Sequence, residues 1–302
     1  MSSQTRTGSR GLNTVKGAAL AGIALTVLTA CDDDHPASRG WLPGDRETTS
    51  NTAVLTDLWV NSWIAALLVG LLTWGLMLWC IVAYRRRKGE TGYPRQLAYN
   101  VPLEIMYTVL PIVMVAVFFY YTDQAQREVD EPYVDPEVQV NVVGKQWAWD
   151  FNYTYTSEDG EEYEVHYAGV QGDLTYEDGS PREEVVDTLP TLYLPVDHSV
   201  EFELTSRDVI HSFWVPAFLQ KRDMIPGRTS YMYLTPQETG TFHGKCAELC
   251  GEYHSNMLFN VEVVEEDEFV EHLETLEEGH LDDTYDRNPN LHDQATITGG
   301  DD

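Results

Sequence analysis

The chain has 302 residues, 43% of them hydrophobic, which is enough for one or two folded domains with a sizeable core. It contains 49 Asp and Glu residues but only 19 Lys and Arg residues, a formal net charge of −30. A charge of this sign repels phosphates and excludes nucleic acid as a general partner. We interpret the acidity as a surface adapted to strong brine, as in an extreme halophile. The alternative is that it steers a cationic partner.

The first residues have the pattern of a targeting segment. Three basic residues precede the apolar run GAALAGIALTVLTA, which is short for a bilayer span and ends at Cys31. The sequence LTAC, followed by three aspartates, is typical of a lipoprotein signal. We therefore expect residues 1–30 to be cleaved, Cys31 to carry a lipid, and residues 31–53 to form an external linker. An uncleaved signal anchor with an incidental cysteine is the alternative.

Two longer apolar stretches follow, at about 58–84 and 103–121. At about 1.5 Å per residue their lengths match a hydrocarbon core of about 30 Å, and Trp and Tyr residues lie near their ends, as in aromatic belts. We predict a transmembrane hairpin over residues 54–121. The connecting loop, residues 85–102, contains the basic segment RRRKG, which favours the cytoplasmic side. Both ends of the hairpin are then expected outside the plasma membrane.

From about Val138 the hydrophobic pattern changes to a period of two. Segments such as VQVNVVGKQWAWDFNYTY alternate apolar and polar residues, which predicts β-strands. Several short strands in succession predict an external Greek-key sandwich or barrel over residues 122–278. Residues 157–187 read as a long acidic excursion between strands, and residues 265–278 permit a helix. The acidic tail, residues 279–302, is predicted to be disordered because it has few apolar residues.

The segment CAELCGEYHSNM combines four side chains that can bind a metal: Cys246, Cys250, His254 and Met257. A disulfide, a zinc site or a copper site could each use some of them. Cysteines four residues apart rarely pair well in regular structure, and a structural zinc site has no use for a thioether. Thiolates, imidazoles and a weak methionine are the ligands of copper electron-transfer sites. His211, in the strand-like segment DVIHSFWVP, can complete the set.

This loop resembles the copper loop of subunit II of cytochrome c oxidases, C-x-E-x-C-G-x-x-H-x-x-M, and every position of that pattern is filled. Four further segments resemble parts of the same family: PLEIMYTVLP, GKQWAWDFNY, DVIHSFWVP and KRDMIPGR. The resemblance covers most of the chain and implies two membrane spans followed by an external cupredoxin-like domain. Lys145 departs from the pattern, because the family usually has a histidine there. This departure puts the identity of the electron donor in doubt more than the metal site.

The resemblance also implies a dinuclear copper centre, CuA, bridged by the thiolates of Cys246 and Cys250. The other copper ligands would be His211, His254, Met257 and the backbone carbonyl of Glu248. The side chain of Glu248 would bind Mg²⁺ at the boundary with the catalytic subunit I, since a carboxylate suits that hard cation.

Two more residues match functional positions of the family. Trp147 matches the exposed tryptophan at which electrons enter, whereas Trp149 is assigned to the core. Glu104 matches an acid at the cytoplasmic entrance of a proton pathway. A carboxylate that caps the beginning of a helix explains Glu104 equally well.

The implied function is that of the subunit at which electrons enter a terminal haem-copper oxidase. Electrons from an external cytochrome c or small blue-copper protein would pass through CuA to haem in subunit I, which reduces oxygen to water and translocates protons. Subunit III is a further expected partner, and no catalytic site is expected on this chain itself. A CuA-containing nitric oxide reductase subunit and a non-redox domain built on structural zinc stay open as alternatives.

Overall fold

The computed structural model describes residues 36–93, 96–157, 159–172 and 188–281. The predicted signal peptide and Cys31, most of the acidic excursion and the last 21 residues (282–302) lie outside the described residues.

Two long helices, α1 (Thr52–Ala83) and α2 (Val101–Val129), correspond to the predicted hairpin. Both are long and apolar enough to cross a membrane. Helix α1 begins before its predicted span, and α2 continues past residue 121, where its predicted span ends. This last part of α2 is charged, and in it Arg127 Nε donates to Asp123 Oδ2 at 2.8 Å. Such pairs, four residues apart, stabilise a solvated helix that hydrophobicity alone does not reveal.

Eleven strands of the described chain form two sheets that pack face to face. They are β1 (Val138–Lys145), β2 (Ala148–Thr156), β3 (Glu162–Tyr167), β4 (Thr191–Pro195), β5 (Val200–Ser206), β6 (His211–Val215), β7 (Gln220–Met224), β8 (Ser230–Leu234), β9 (Gly240–Cys246), β10 (Leu258–Val264) and β11 (Glu277–Glu278). The six-stranded sheet has the order β11-β3-β2-β1-β5-β8, and the five-stranded sheet has the order β4-β10-β9-β6-β7. The pairs β1–β5 and β4–β10 are parallel and the others antiparallel. This is the predicted membrane-anchored all-β class with a cupredoxin-like sandwich.

The core between the sheets is aromatic. Trp149 lies against Phe259 and Phe213 with ring centroids 5.1 and 5.9 Å apart, and Phe213 stacks on Phe259 at 5.0 Å. All three rings are fully buried, which confirms that Trp149 belongs to the core. Each such ring removes a large apolar area from water, so this cluster stabilises the end of the sandwich that carries β6 and β9.

Gly244, in β9, makes room for this cluster. A Cβ atom at Gly244 would lie 2.0 Å from Cζ of Phe259. We expect Gly244→Ala to lower the free energy of unfolding by about 1–3 kcal/mol, because the ring has to leave its place between buried neighbours. Denaturant unfolding of the detergent-solubilised chain measures the change. In a Phe259→Leu background the same substitution should cost less, and equal costs in both backgrounds would contradict this explanation.

The segment before α1 contacts the strand domain instead of hanging free. The backbone N–H of Ser50 donates to the carbonyl of Thr235 at 2.8 Å. The Asn51 side chain donates to Gln220 Oε1 at 3.1 Å and to the carbonyl of Tyr233 at 2.7 Å. The later part of the predicted linker is therefore attached to β7 and β8. These contacts join residues far apart in sequence, so the local pattern could not predict them.

The C-terminal end of the domain is also held in place. A short helix, α3 (Glu266–Leu273), occupies the segment predicted to permit one. Strand β11 then pairs with β3, which itself lies inside the predicted acidic excursion. Leu281 N donates to Asn152 Oδ1 at 2.8 Å, and Asn152 Nδ2 donates back to the Leu281 carbonyl at 3.1 Å. Residues 279–281, the first three of the predicted tail, are therefore bonded to the sheet.

Candidate metal centre

The candidate site lies where β6 begins and β9 ends. His211 is the first residue of β6, and Cys246 is the last residue of β9. The loop that follows is tied to the sheet at both ends: Ala247 N donates to the carbonyl of Ser212, and Cys246 N donates to the carbonyl of Met257, each at 3.0 Å. Because these bonds continue the strand pairing, the loop is held in position by the sandwich.

The first half of the site surrounds the thiol of Cys246. Its Sγ lies 3.8 Å from Nδ1 of His211 and 3.2 Å from the carbonyl oxygen of Glu248. It also lies 3.8 Å from Sγ of Cys250. The structure thus brings together a thiol, an imidazole and a backbone carbonyl, and His211 comes from a different strand, as predicted.

The second half surrounds Cys250 in the same manner. Its Sγ lies 3.5 Å from Nδ1 of His254 and 3.8 Å from Sδ of Met257. Each sulfur therefore has its own imidazole and one weak ligand, and the two sulfurs face each other. All six predicted copper ligands of the loop and strand lie within this one group.

The two thiols are free and buried, with 5% of Cys246 and 3% of Cys250 exposed. Their sulfur atoms are 3.8 Å apart, far beyond the bond length of about 2.05 Å in a disulfide. A hydrogen bond between the thiols lowers the pKa of Cys246 and raises the pKa of Cys250, because the proton kept by one sulfur stabilises the thiolate of the other. The site thus favours a thiolate, the form that binds metal.

Asp208 orients His211 and was not identified from the sequence. The Nε2 atom of His211 lies 2.8 Å from Oδ1 of Asp208, so Nδ1 points to Cys246. Burial disfavours the charged imidazole, but the hydrogen bonds to Asp208 and Cys246 and the negative charges of these two groups together outweigh it and raise the pKa of His211. A carboxylate on the far nitrogen of a histidine is a common device of metal sites. The signal in the sequence was an acid three residues before the histidine, in DVIH.

Comparisons with known proteins show the family of the chain. Residues 138–264 match the family model described as cytochrome C oxidase subunit II, periplasmic domain. The chain is 41% identical over 278 residues to the probable cytochrome c oxidase subunit 2 of Streptomyces coelicolor, with 85% of this chain and 84% of that protein covered. The chain belongs to the cytochrome c oxidase subunit II family. This confirms the resemblance seen in the copper loop and in the four further segments.

Other relatives extend the comparison. The cytochrome c oxidase subunit 2 of Mycobacterium tuberculosis (strain H37Rv) is 33% identical over 307 residues, covering 90% of this chain and 84% of that protein. Among solved structures, the periplasmic domain of subunit II of cytochrome oxidase of Bradyrhizobium japonicum is 30% identical and covers 47% of this chain and 94% of that chain, with a TM-score of 0.39. Members of this family are subunits of an oxidase complex, and the two apolar helices fit a membrane protein.

Trp147 lies beside the candidate centre, in the turn between β1 and β2. Its Nε1 donates to the carbonyl of Cys250 at 3.3 Å, and Gln146 Nε2 donates to the same carbonyl at 2.7 Å. Only 7% of Trp147 is exposed, in contrast to the exposed position that the family resemblance implies. The ring of Tyr253 covers it edge-on, with centroids 4.8 Å apart. The burial of Trp147 could not be predicted from the sequence, because it depends on the position of the Tyr253 ring.

The departure from the family at Lys145 has a structural partner. Lys145 Nζ lies 2.7 Å from Oδ1 of Asp150, and Arg207 Nη2 lies 2.8 Å from Oδ2 of the same carboxylate. Gly169 N also donates to Asp150 Oδ1, at 3.0 Å. Asp150 is fully buried in β2, so this cluster holds a buried charge beside the turn of Trp147. The sequence did not predict this cluster. Arg207 is distant in sequence from Lys145 and Asp150, and a strand pattern does not show that the charge of Asp150 is buried.

Glu104 and Glu248 lie outside the group of sulfur and imidazole ligands. Glu104 Oε1 accepts from the backbone N–H of Asn100 at 2.9 Å, while Asn100 Oδ1 accepts from Leu103 N at 3.4 Å. These reciprocal bonds are similar to a capping box, with the acid one position later in the helix, so the capping interpretation of Glu104 has direct contacts. The side chain of Glu248 is exposed although its carbonyl faces Cys246, and it can therefore reach a group outside the chain.

Proposed function

We propose that this chain is the subunit at which electrons enter a terminal haem-copper oxidase, with a dinuclear CuA centre as the acceptor. The observation that carries the proposal is the convergence of two free thiols, two imidazole Nδ1 atoms, one thioether and one carbonyl at one end of the sandwich. Membership of the family supports it.

The donor set fits copper better than zinc. Thiolates, imidazoles and a thioether are soft or intermediate ligands, as copper electron-transfer sites use, whereas a structural zinc site needs four nitrogen or sulfur ligands and no thioether. Each of the two sulfurs has one histidine near it, so the site has enough ligands for two copper ions that would share both thiolates. Cys246 and Cys250 would bridge, and His211 and His254 would each hold one ion. Bound copper would supply reversible one-electron chemistry.

The residues of the chain keep this site nearly unchanged when its charge changes. Asp208 fixes the ring of His211, and strand pairing fixes both ends of the ligand loop. The buried thiols and the buried Met257 exclude water from the sulfur ligands. A site with fixed ligands and little water has little to rearrange when an electron arrives. Trp147, bonded to the carbonyl of Cys250, provides a route from the surface side of the turn.

The remaining partners follow from the same proposal. An external cytochrome c or small blue-copper protein would supply electrons, and haem in subunit I would receive them, with oxygen reduced and protons translocated there. Subunit III would complete the complex. The exposed carboxylate of Glu248 would bind Mg²⁺ at the boundary with subunit I, and Glu104 would lie at a proton entrance in addition to its capping role.

The proposed orientation places the strand domain outside the plasma membrane. The loop between α1 and α2 carries Arg85, Arg86, Arg87 and Lys88, and basic loops favour the cytoplasmic side. Both ends of the chain are then external, which agrees with lipidation at Cys31. Mass spectrometry of the mature N-terminus would test the lipid.

Metal loading of the full-length chain in detergent tests the central proposal. We expect two copper ions per chain that share one unpaired electron in the electron paramagnetic resonance spectrum. His254→Ala should remove this signal, because Nδ1 of His254 lies 3.5 Å from Sγ of Cys250 and would hold one of the ions. His243→Ala is the matched control, since His243 is exposed on β9 and bonded to Asn260 instead. A single zinc or copper ion without a shared electron would contradict the proposal and favour a structural site.

A dinuclear copper centre would be expected both in an oxidase subunit and in the alternative, a nitric oxide reductase subunit. The two differ in the reaction of the partner subunit, so purification of the assembled complex and comparison of its turnover with oxygen and with nitric oxide separates them.

A further inference from the structure

Tyr253 is the outermost ring of an aromatic contact that leads to the ligand loop. It is 41% exposed, whereas Trp147 beneath it is only 7% exposed. Their rings meet edge-on, with centroids 4.8 Å apart and an interplanar angle of 73°. A protein that docks on this face therefore meets Tyr253 before Trp147.

The contact continues inward without a gap. Trp147 Nε1 donates to the carbonyl of Cys250, whose sulfur belongs to the candidate centre. Gly251 allows this approach, since a Cβ there would lie 3.1 Å from Cζ2 of Trp147, and its φ of +128° disfavours other residues. Tyr253, Trp147 and Cys250 thus form a continuous series from solvent to a ligand.

The surface around Tyr253 suits a protein partner. Val209 and Ile210 precede the ligand His211, Leu249 precedes Cys250, and all three have large exposed side chains. Exposed apolar side chains grouped around one site mark interaction surfaces, and tyrosine is frequent among the residues that contribute most binding energy. The exposed acid Glu252 is the neighbour of Tyr253, and the net charge of −30 favours a cationic partner.

We infer that Tyr253 is the residue that receives a cationic one-electron donor protein and connects it to Trp147. This inference rests on the proposed function. One electron leaves the donor, which is oxidised, and arrives in the copper centre, which is reduced. No bond forms, no proton moves, and Tyr253 is not consumed. The aromatic ring, not the hydroxyl, is the part that acts.

Rates of reduction test the inference on the copper-loaded full-length chain in detergent. The probes are a reduced, soluble, cationic c-type cytochrome and the small reductant hexaammineruthenium(II). With Tyr253→Leu we expect the rate with the cytochrome to fall about tenfold, as for a truncated aromatic anchor, while the rate with hexaammineruthenium(II) stays near the wild-type value. Tyr253→Phe should restore the rate with the cytochrome. Tyr231→Leu is the matched control, since Tyr231 is 44% exposed on β8.

An unchanged rate with the cytochrome in Tyr253→Leu would overturn the inference. So would an altered electron paramagnetic resonance spectrum in that variant, because Tyr253 would then act by positioning its neighbour His254. If wild-type chain forms no shared-electron centre, the proposed function fails instead.

A second readout does not depend on copper. Hydroxyl-radical footprinting of the copper-free chain, followed by mass spectrometry, measures which side chains a bound cytochrome protects. We expect protection of Tyr253 and no protection of Tyr231. Equal labelling of Tyr253 with and without the cytochrome would overturn the inference even where the copper centre is present.

Discussion

Cys250→Ser should abolish the shared-electron signal of the copper-loaded chain and reduce the copper content from two ions to one or none. The Cys250 sulfur contacts three other ligand atoms: Sγ of Cys246 at 3.8 Å, Nδ1 of His254 at 3.5 Å and Sδ of Met257 at 3.8 Å. A serine hydroxyl is a hard, weakly acidic group and cannot bridge two soft ions as a thiolate does. Metal analysis and electron paramagnetic resonance measure both effects.

The matched control for this prediction is Cys80→Ser. Cys80 is a free cysteine on helix α1, exposed in the isolated chain and far along the sequence from the loop. It should retain the full signal. Serine is close to cysteine in size, so Cys250→Ser should also keep the circular dichroism spectrum of the folded chain. A normal copper signal in Cys250→Ser would show that the two sulfurs do not act as a pair.

Asp150→Ala should lower the free energy of unfolding by about 3–5 kcal/mol, the usual cost of removing one partner from a buried ion pair. The substitution leaves Lys145 and Arg207 without the carboxylate that they share, and the Arg207 side chain is only 6% exposed. Denaturant unfolding of the full-length chain in detergent, followed by tryptophan fluorescence, measures the loss.

Two further variants make this prediction specific. Asp123→Ala removes a solvent-exposed pair with Arg127 on helix α2 and should leave stability nearly unchanged. Replacing Lys145, Asp150 and Arg207 together by methionine removes all three charges, and the triple variant should recover much of the stability lost by Asp150→Ala. If Asp150→Ala were as stable as the wild-type chain, the buried cluster would have no stabilising role.

Local sequence information predicts those parts of the structure that depend on neighbouring residues. The candidate ligands Cys246, Cys250, His254 and Met257 share one loop, so their spacing alone places them together. The two helices follow from uninterrupted apolar stretches, and alternation predicts the strands. His211 is distant in sequence; it was a candidate because a histidine on a strand can complete the ligand set, and the family resemblance of its segment supported that choice.

Contacts between distant segments could not be predicted in this way. The pairing of Asp150 with Arg207 depends on the register of β1 against β2 and β5, which alternation does not determine. The burial of Trp147 depends on where the ligand loop places Tyr253. The attachment of residues 279–281 depends on hydrogen bonds to distant strands: Gly279 N donates to the carbonyl of Glu164 at 2.7 Å, and Leu281 is bonded to the side chain of Asn152.

The bonds of Asn51 determine how the strand domain is joined to helix α1. Asn51 immediately precedes α1 and is bonded to Gln220 and to the carbonyl of Tyr233. The sandwich is thus joined to the start of α1 without a flexible stalk. If α1 crosses the membrane as proposed, these bonds restrict how far the candidate metal centre can move relative to the bilayer. An electron donor would then have to reach the centre, because the strand domain could not swing toward it.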